Sequence, residues 1–504
     1  MRGFWGMVAA PDVFVPRPDS ASFSVRGTRN AAEGQLGSAR MQIQTVGAHS
    51  AATNLPRAVG IGYLSNREAL AGVLAAAGQV PIDDDFELLA RLYELFGADA
   101  LRMAEGHFCA ALFDTRQVTL ACGKTPGPRL YYRHGRGRRL VFGSELKSFA
   151  ALDRRLLPFL ANREEQLEET PSLTPFEDVY AVIPGECVTF SLDESFVLEH
   201  EIYYRPRQRI RYLDPTDDDV YQALRDGLWQ AVSGIAGKSA ICLVSGGLDS
   251  SIVGTLAQRH FQDVRYFSVG TRERNEFASA RRFTDSIGAT STDIVFEEGR
   301  FLENLTEVVS LLEHPYSRYL EYIVPVHIAH KLIPDDADVI LSGYGSDVLF
   351  AGFGKPHHGI FDIAQLIRSE YLSTYWANEA SQTVGFCHGK FVAYPFFDSG
   401  FVDVAMSVSP HLCHLNGVEK YVLRRAFERE LAPEVVWRKK FGIHEGTGCE
   451  DFFSRYLTRP GEIVNPAVLR VRKDRLSYGI LSAVLIDGVP TSDVNFNEIR
   501  REIL

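Results

Sequence analysis

The sequence predicts two folded parts of different class: an α+β layer fold over residues 1–208 and an α/β fold with a parallel sheet over residues 209–504. The first part consists of short apolar or alternating segments separated by Gly, Pro and Asn turns, which is typical of strands. In the second part, longer segments with helical periodicity alternate with short apolar strands, which indicates βαβ units. A stretch rich in Arg, Pro and Asp at residues 203–218 is the predicted linker between them.

The composition is that of a globular protein and argues against several function classes. Hydrophobic residues make up 45% of the chain and charged residues 23%, and no apolar run reaches the roughly 18 residues that would span a bilayer. The net charge of −11 disfavours a nucleic-acid partner, because phosphate backbones require a basic face. The N-terminal residues have one arginine but no apolar h-region before a small-residue cleavage site, so we expect no signal peptide and a cytoplasmic protein. The seven scattered cysteines form no CxxC pair and are predicted to be buried thiols.

Regular elements of the first part can be placed from periodicity alone. Alternation and apolar runs predict strands at residues 109–114, 118–122 and 130–133, and a helical pattern predicts a helix at residues 86–96. In the second part the first predicted helix covers residues 220–235. A strand at residues 241–244 follows it.

The second part is organised around the loop Val244-Ser245-Gly246-Gly247-Leu248-Asp249-Ser250-Ser251, which follows that strand and leads into a predicted helix from Ser250. A helix that begins at a glycine turn presents unbonded backbone N–H groups and a positive dipole end, so the loop predicts an anion site. The hydroxyls of Ser245, Ser250 and Ser251 add donors. The absence of a Gly-Lys-Ser/Thr ending argues against a Walker-type loop. Asp249 would place a carboxylate beside the phosphates, and a magnesium ion between the two negative groups would explain this arrangement.

Two later strand ends belong to the same predicted site, because ligands of such sheets bind at the carboxyl ends of strands. The strand at residues 264–270 ends in Val269 and Gly270, and the glycine would let a flat base approach the backbone. The strand at residues 339–341 leads into Gly343-Tyr344-Gly345-Ser346-Asp347. Asp347 falls where it could share a magnesium ion with Asp249. The alternative interpretation of Tyr344 is that its side chain only packs against its neighbours and has no chemical role.

Positive charge is concentrated in one region of this acidic chain. Lys420 begins a predicted helix, and Arg438-Lys439-Lys440 precedes a Phe-Gly step. A solvated face is the alternative interpretation, but an ammonium group at Lys440 could stabilise an oxyanion if water is excluded. The glycine-bearing segment at residues 446–450 is predicted to be a mobile loop that serves as a lid.

The glycine loop at 245–251 resembles the pyrophosphate-binding loop of the ATP-pyrophosphatase family. Within that family the chain is similar to the asparagine synthetase branch, and more closely to β-lactam synthetases and carbapenam synthetases, over most of its length. The first part resembles the glutaminase domain of that branch at residues 1–6, 62–67, 105–108, 130–132 and 143–147. This resemblance implies an N-terminal-nucleophile type αββα layer domain. The family carries a cysteine after the initiator methionine, whereas this chain has Arg2, and the glutamine-holding pattern has become Asp85-Phe86-Glu87. We therefore expect no ammonia production.

The resemblance also implies roles for individual residues of the second part. Lys440 corresponds to the family's essential lysine, Tyr344 to a base that deprotonates the amine, and Glu379 to the carboxylate that orients it. The implied ATP-binding residues are the loop 244–251, Val269, Gly270, Gly343 and Lys420, and the implied magnesium ligands are Asp249 and Asp347. The implied substrate-binding residues are Tyr316, Tyr319, Glu321, Gly345 and Ser346.

Together these features predict an ATP- and Mg²⁺-dependent cyclo-ligase that adenylates a carboxylate and closes a β-lactam ring by attack of an amine of the same molecule. A carboxymethylproline-like diacid is the favoured substrate; a carboxyethyl-arginine or a tabtoxin-type precursor remains open. The rival functions are an intermolecular amide ligase of the asparagine-synthetase type and a non-catalytic ATP-binding scaffold. Homo-oligomerisation is left open.

Overall fold

The computed structural model of the protein describes residues 3–9, 29–36, 39–46, 57–135, 139–150, 170–193, 196–313, 317, 320–352, 360–377 and 380–504. In this part of the chain the strands are β1 (Gly3–Ala9), β2 (Arg29–Leu36), β3 (Ala39–Val46), β4 (Ala58–Gly62), β5 (Phe108–Phe113), β6 (Gln117–Cys122), β7 (Leu130–Gly135), β8 (Arg139–Gly143), β9 (Tyr180–Val182), β10 (Glu186–Ser191), β11 (Leu198–Ile202), β12 (Ser239–Leu243), β13 (Asp263–Gly270), β14 (Ser291–Val295), β15 (Val339–Leu341), β16 (Val392–Ala393), β17 (His414–Leu415) and β18 (Val418–Glu419).

The α-helices of the same ranges are α1 (Arg67–Ala76), α2 (Asp85–Phe96), α3 (Ala98–Met103), α4 (Lys147–Ala150), α5 (Asp218–Ser233), α6 (Leu248–His260), α7 (Phe277–Ser286), α8 (Glu298–Leu312), α9 (Leu320–Leu332), α10 (Ser346–Phe350), α11 (Ile360–Ala377), α12 (Ala380–Cys387), α13 (Ser399–Ala405), α14 (Pro410–Cys413), α15 (Tyr421–Phe427), α16 (Pro433–Val436), α17 (Ile443–Thr447), α18 (Cys449–Tyr456), α19 (Pro466–Leu485) and α20 (Phe496–Ile503). Short 3₁₀ helices lie at Pro395–Phe397 and Thr491–Asp493. None of the described helices is both long and apolar enough to cross a membrane.

The first part contains two antiparallel sheets, in the orders β2-β3-β1-β8-β7-β9 and β11-β10-β6-β5-β4. Their facing sides form one buried apolar cluster, in which Phe4 and Phe142 of the first sheet meet Val59 and Val188 of the second. Alternation along each strand supplies these inward side chains. The predicted α+β layer fold is confirmed.

The outer faces of the two sheets are covered by helices from different parts of the chain. Helices α1–α3 cover the second sheet, with Leu70 and Leu88 buried against it. On the outer face of the first sheet, Trp5 shares a buried cluster with Phe301 of α8 and Leu476 of α19. Among the described residues, helices of the second part therefore form the layer that covers the outer face of the first sheet.

The second part is built on a parallel sheet of order β14-β13-β12-β15-β16, as predicted. The central strand β12 pairs in parallel with β13 on one side and with β15 on the other. The chain first builds outward from β12 through β13 to β14, and then returns to place β15 on the opposite edge of β12. This reversal of strand order opens a crevice at the carboxyl ends of β12 and β15, which is where ligands of such sheets bind.

Several predicted boundaries need correction. Helix α6 begins at Leu248 rather than Ser250, because Gly247 is its extended N-cap and Ser251 N–H already bonds the Gly247 carbonyl. The prediction of a loop at residues 446–450 is wrong: the segment forms α17 and α18, joined at Gly448, and Thr447 is buried. All seven cysteines are free thiols, and six of them are buried.

One buried carboxylate joins the two parts of the chain. Glu313 follows α8 with a left-handed backbone and is 4% exposed. It accepts hydrogen bonds from Leu146 N at 2.6 Å and Lys147 N at 2.8 Å, and the Lys147 Nζ atom lies 2.9 Å from it. The carboxylate thus satisfies the start of α4 and pairs with its lysine.

Replacing Glu313 with Ala is expected to lower the free energy of unfolding by about 3–5 kcal/mol, because it removes the nearer carboxylate of the buried Lys147 ammonium and the acceptor of two backbone amides. Among the described residues, the ammonium then keeps only the Ser310 carbonyl, at 2.7 Å, and Glu145, at 3.5 Å. The matched control is Glu303→Ala, which removes a solvent-exposed pair with Arg300 and should cost about 0–1 kcal/mol. Chemical denaturation of the full chain measures both. Equal stability of Glu313→Ala and wild type would contradict the assigned role.

Candidate functional site

The loop after β12 is shaped by its own polar groups. Gly247 N–H donates to Ser245 Oγ at 3.2 Å, and Ser245 N–H lies 3.4 Å from Ser250 Oγ. Within the described ranges no side chain caps the N-terminus of α6, so the first N–H groups of this 13-residue helix have no side-chain acceptor there. Ser251 is fully buried, and its hydroxyl has no hydrogen-bond partner among the described residues.

The two glycines of this loop serve different purposes. Gly246 has a φ of +70°, and a Cβ there would lie 2.2 Å from the Ser279 carbonyl oxygen of α7. It is therefore required by close packing inside the protein. A Cβ on Gly247 would meet only Ser245 Oγ, at 3.2 Å. Gly247 is the position at which a ligand can approach the backbone.

The loops after β12 and β15 touch each other at Gly343. A Cβ on Gly343 would lie 2.8 Å from both the Asp249 carbonyl carbon and the Ser250 amide nitrogen. Ser346 then donates from Oγ to Asp249 Oδ1 at 2.7 Å. The two loops thus form one continuous surface at the predicted crevice.

Four charged side chains converge on this surface: Asp249, Asp347, Lys420 and Lys440. Lys420 Nζ lies 2.7 and 2.6 Å from the two Asp249 oxygens and 2.6 Å from Asp347 Oδ1. Lys440 Nζ donates to Asp347 Oδ2 and lies 3.9 Å from Asp249 Oδ2. Lys420 is 2% exposed, whereas the Lys440 side chain is 28% exposed. The structure therefore brings together both predicted metal ligands and both predicted lysines.

Burial and charge oppose each other in this cluster. Burial raises the pKa of Asp249, but the ammonium groups of Lys420 and Lys440 outweigh it and hold that pKa below its usual value. Burial lowers the pKa of Lys420 and of Lys440, and the charge of Asp249 offsets this only in part. Asp249 is consequently a carboxylate at neutral pH.

Lys420 reaches the carboxylates from an unusual backbone position. Its φ is +54°, in the left-handed region that side chains other than glycine rarely adopt, and it is the N-cap of α15. Gly352 leaves space for the lysine, because a Cβ there would lie 2.0 Å from Lys420 Cε. Such strain is characteristic of functional sites.

The segment that carries Lys440 is fastened to the first loop by Arg438. Its Nη1 atom donates to the Ser245 carbonyl at 3.1 Å, and its Nη2 atom bonds Glu276 Oε1 at 2.6 Å. Burial raises the pKa of Glu276 in spite of the arginine. A Cβ on Gly446 would lie 2.8 Å from Glu276 Oε2, so α17 packs directly over this pair.

Tyr344 lies between the touching glycine and the Asp347 turn and is half-buried. Its ring contacts those of Tyr394, at a centroid distance of 5.7 Å, and Phe397, at 5.4 Å. Gly345 has a φ of +100° and lies against Phe396 and Phe397, so the turn must be glycine. These contacts restrict the orientation of the tyrosine.

The other predicted site residues either have contacts outside the charged cluster or lie outside the described residues. A Cβ on Gly270 would lie 2.6 Å from Asn275 Cβ, so this glycine accommodates a neighbouring side chain; Val269 packs between two apolar clusters. Glu321 is paired with Lys473 Nζ. The remaining predicted residues, Tyr316, Tyr319, Glu379 and Arg2, lie outside the described residues.

Three residues of the site had no role in the sequence-based prediction: Glu276, Gly352 and Arg438. Each acts through a partner far away in the sequence, such as Arg438 with Glu276. The basic run that contains Arg438 was part of the sequence analysis, but its pairing with Glu276 was not.

The sequence is similar to known families over most of the second part and over a segment of the first. The profile of the asparagine synthase family matches residues 223–390 and 371–477, and that of a glutamine amidotransferase domain matches residues 52–151. The chain is 28% identical over 408 residues to the carboxyethyl-arginine β-lactam-synthase of Streptomyces clavuligerus, covering 80% of this chain and 76% of that protein. It is 28% identical over 392 residues to the glutamine-hydrolysing asparagine synthetase of Homo sapiens, covering 72% and 67%.

The chain is also similar, at lower sequence identity, to a second asparagine synthetase. The probable glutamine-hydrolysing asparagine synthetase of Dictyostelium discoideum is 23% identical over 437 residues, covering 77% of this chain and 72% of that protein. Among solved structures, a glutamine phosphoribosylpyrophosphate amidotransferase from B. subtilis covers 58% of this chain and 80% of its own, at 12% identity and a TM-score of 0.28. A score of that size does not by itself indicate a shared fold.

Gly343→Ala is expected to destabilise the protein by about 1–3 kcal/mol, because the added methyl group must push apart the two loops that meet there. Gly299→Ala is the control, since a Cβ at that helical position meets nothing within 4 Å. Calorimetric unfolding of both variants measures the difference. A Gly343→Ala protein as stable as Gly299→Ala would show that the loops do not touch.

Proposed function

The chain belongs to the asparagine synthase family, and we propose that it is an ATP-dependent ligase that closes a β-lactam ring within one substrate molecule. The observation that carries the proposal is the convergence of Asp249, Asp347, Lys420 and Lys440 on the loop that holds Tyr344. This arrangement joins groups for handling phosphates with a side chain that can accept a proton. The 28% identity to a β-lactam synthase supports the same conclusion.

The phosphates of ATP would bind at the N-terminus of α6, where the N–H groups and the helix dipole favour an anion and Gly247 permits close approach. Asp249 and Asp347 would hold Mg²⁺, since carboxylate oxygens from separate loops are the ligands this ion prefers. The contacts of Lys420 Nζ support this proposal, because one cationic group lies 2.6 Å from an oxygen of each carboxylate. Bound Mg²⁺ would neutralise phosphate charge.

The first chemical step would be attack of the substrate carboxylate on the α-phosphorus, which forms an acyl-adenylate and releases pyrophosphate. The second would be attack of the substrate's own amine on the acyl carbon, which forms the C–N bond and releases AMP. Lys440, partly exposed at the mouth of the cluster, would stabilise the oxyanion that develops on the attacked carbonyl. A substrate bound in a folded shape makes ring closure unimolecular.

Tyr344 would accept the proton that the amine loses. Its position among Tyr394 and Phe397 keeps the ring in one orientation, which a general base requires. We propose Glu379 as the carboxylate that assists it. We also propose adenine contacts at Val269 and Gly270, and substrate contacts at Tyr316, Tyr319, Glu321, Gly345 and Ser346.

An internal amine is favoured because Arg2 replaces the nucleophile that would release ammonia from glutamine. Residues 1–208 would then be a glutaminase-like domain without its chemistry, residues 209–504 the synthetase domain, and the protein cytoplasmic. Among substrates, a carboxymethylproline-like diacid is favoured over one bearing a guanidinium. Glu321, the acidic group proposed to face the substrate, is already neutralised by Lys473.

The proposal is tested by measuring pyrophosphate release with ATP, Mg²⁺ and a series of β-amino diacids, and by weighing the products. A product equal in mass to the substrate minus one water is expected. A product that incorporates an added amine would instead support the intermolecular amide ligase, the activity suggested by the asparagine synthetase relatives. Absence of substrate-dependent pyrophosphate release would overturn both.

Lys440→Ala is expected to reduce turnover by about 10²-fold to 10³-fold, because the oxyanion loses its positive partner. Lys439→Ala removes an exposed ammonium one residue away and should change turnover by less than about twofold. Pyrophosphate release measures turnover, and titration calorimetry with ATP measures nucleotide binding. Turnover by Lys440→Ala within tenfold of wild type would remove the lysine from the mechanism.

Tyr344→Phe is expected to slow ring closure by about 10²-fold to 10⁴-fold while adenylation continues, because the phenylalanine retains the ring contacts but cannot take a proton. Exchange of labelled pyrophosphate into ATP measures adenylation, and product formation measures closure. Tyr456→Phe is the control, as its hydroxyl bonds Asn497 at an exposed position. Equal loss in both assays would place Tyr344 outside the proton transfer.

A further inference from the structure

Arg424 is a buried arginine of α15 that bonds only backbone carbonyls in the hydrogen bonds described. It is 6% exposed. Its Nε atom donates to the Glu419 carbonyl at 2.8 Å, and its Nη1 atom donates to the Val436 carbonyl and, at 3.1 Å, to the Arg438 carbonyl. Burial lowers the pKa of its guanidinium, while the charge of Asp249 opposes the shift.

The three carbonyls belong to the two chain segments that contain Lys420 and Lys440. Glu419 immediately precedes Lys420, and Arg438 lies two residues before Lys440. A guanidinium is planar and rigid, so hydrogen bonds from its different nitrogens fix the separation of the groups they reach. Arg424 thus ties the backbone before one lysine to the backbone before the other.

The hydrogen bonds of Arg424 lie next to a residue with a strained backbone. Lys420 has a left-handed φ of +54°, a conformation that persists in a side-chain residue only when its surroundings enforce it. Arg424 N–H also donates to the Lys420 carbonyl at 2.9 Å. The residue therefore holds Lys420 from both sides, through Glu419 and through its own helix.

We propose that Arg424 is a positioning residue: it sets the relative placement of Lys420 and Lys440, and thereby holds both ammonium groups on Asp249 and Asp347. Its effect on turnover rests on the proposed ring closure, whereas its effect on Mg·ATP binding rests only on the proposed nucleotide site, which the rival intermolecular ligase would share. The neighbouring Arg425 provides a matched control. Its side chain is 40% exposed, pairs with Glu428 just after the same helix, and lies over the Tyr221 ring at 5.9 Å.

The experiment compares wild type with Arg424→Met, Arg424→Lys and Arg425→Met, each measured below its own melting temperature and per folded molecule. The readouts are kcat and KM for pyrophosphate release, and Mg·ATP affinity by calorimetry. Arg424→Met should lose about 10²-fold in kcat, because a displacement of about 1 Å at a reacting group has that effect. Arg424→Lys can still donate to one carbonyl and should recover part of the loss. Arg425→Met should match wild type within about twofold.

A merely structural role would lower the melting temperature and leave kcat per folded molecule and Mg·ATP affinity unchanged, and that result in both Arg424 variants overturns the proposal. If Arg424→Met does not fold, Arg424→Lys decides by the same criterion. If the wild type releases no pyrophosphate with any diacid, the proposed function fails, and Mg·ATP affinity alone decides on Arg424. Weaker binding in the Arg424 variants than in Arg425→Met supports the proposal, and equal binding overturns it.

Discussion

The ion pairs between Lys420 and the two carboxylates, Asp249 and Asp347, are the interaction on which the rest of the site depends. Charges taken out of water cost several kcal/mol each unless they are paired and hydrogen-bonded. Three loops that are distant in the sequence must therefore meet within hydrogen-bonding distance, and the fold supplies that meeting at the point where the strand order reverses. Glycine is needed at 343 and 352 for the same reason. A side chain at 343 would overlap the backbone at Asp249, and one at 352 would overlap the Lys420 side chain.

The first part of the chain packs against the second and has a structural role. The outer face of its first sheet, with Trp5, is buried against α8 and α19 of the second part, so its removal would expose apolar surface. It also reaches towards the site. His107 of the first part contacts the ring of Tyr394 at 5.6 Å, and Tyr394 in turn contacts Tyr344. The first part of the chain is thus also connected to the candidate site through these ring contacts.

Sequence reasoning succeeded where a motif and its element lie close together in the chain. The strand, the two glycines and Asp249 form one local unit, and the same holds for the Gly343 to Asp347 turn. It failed where tertiary packing overrides local composition. The glycines around residue 446 indicated a mobile loop, yet Thr447 and Cys449 are buried and the segment is helical. For Gly270, the missing Cβ makes room for Asn275, and the contact with a base stays a prediction.

The sequence by itself determined the two fold classes and the strand–turn–helix form of the first loop, because strand periodicity and glycine turns are local properties. Only the tertiary structure decided which charges pair. That Arg438 bonds Glu276, that Lys473 neutralises Glu321 and that Arg424 spans two lysine segments depends on which elements pack together. Such pairings join residues far apart in the chain, and no local pattern encodes them.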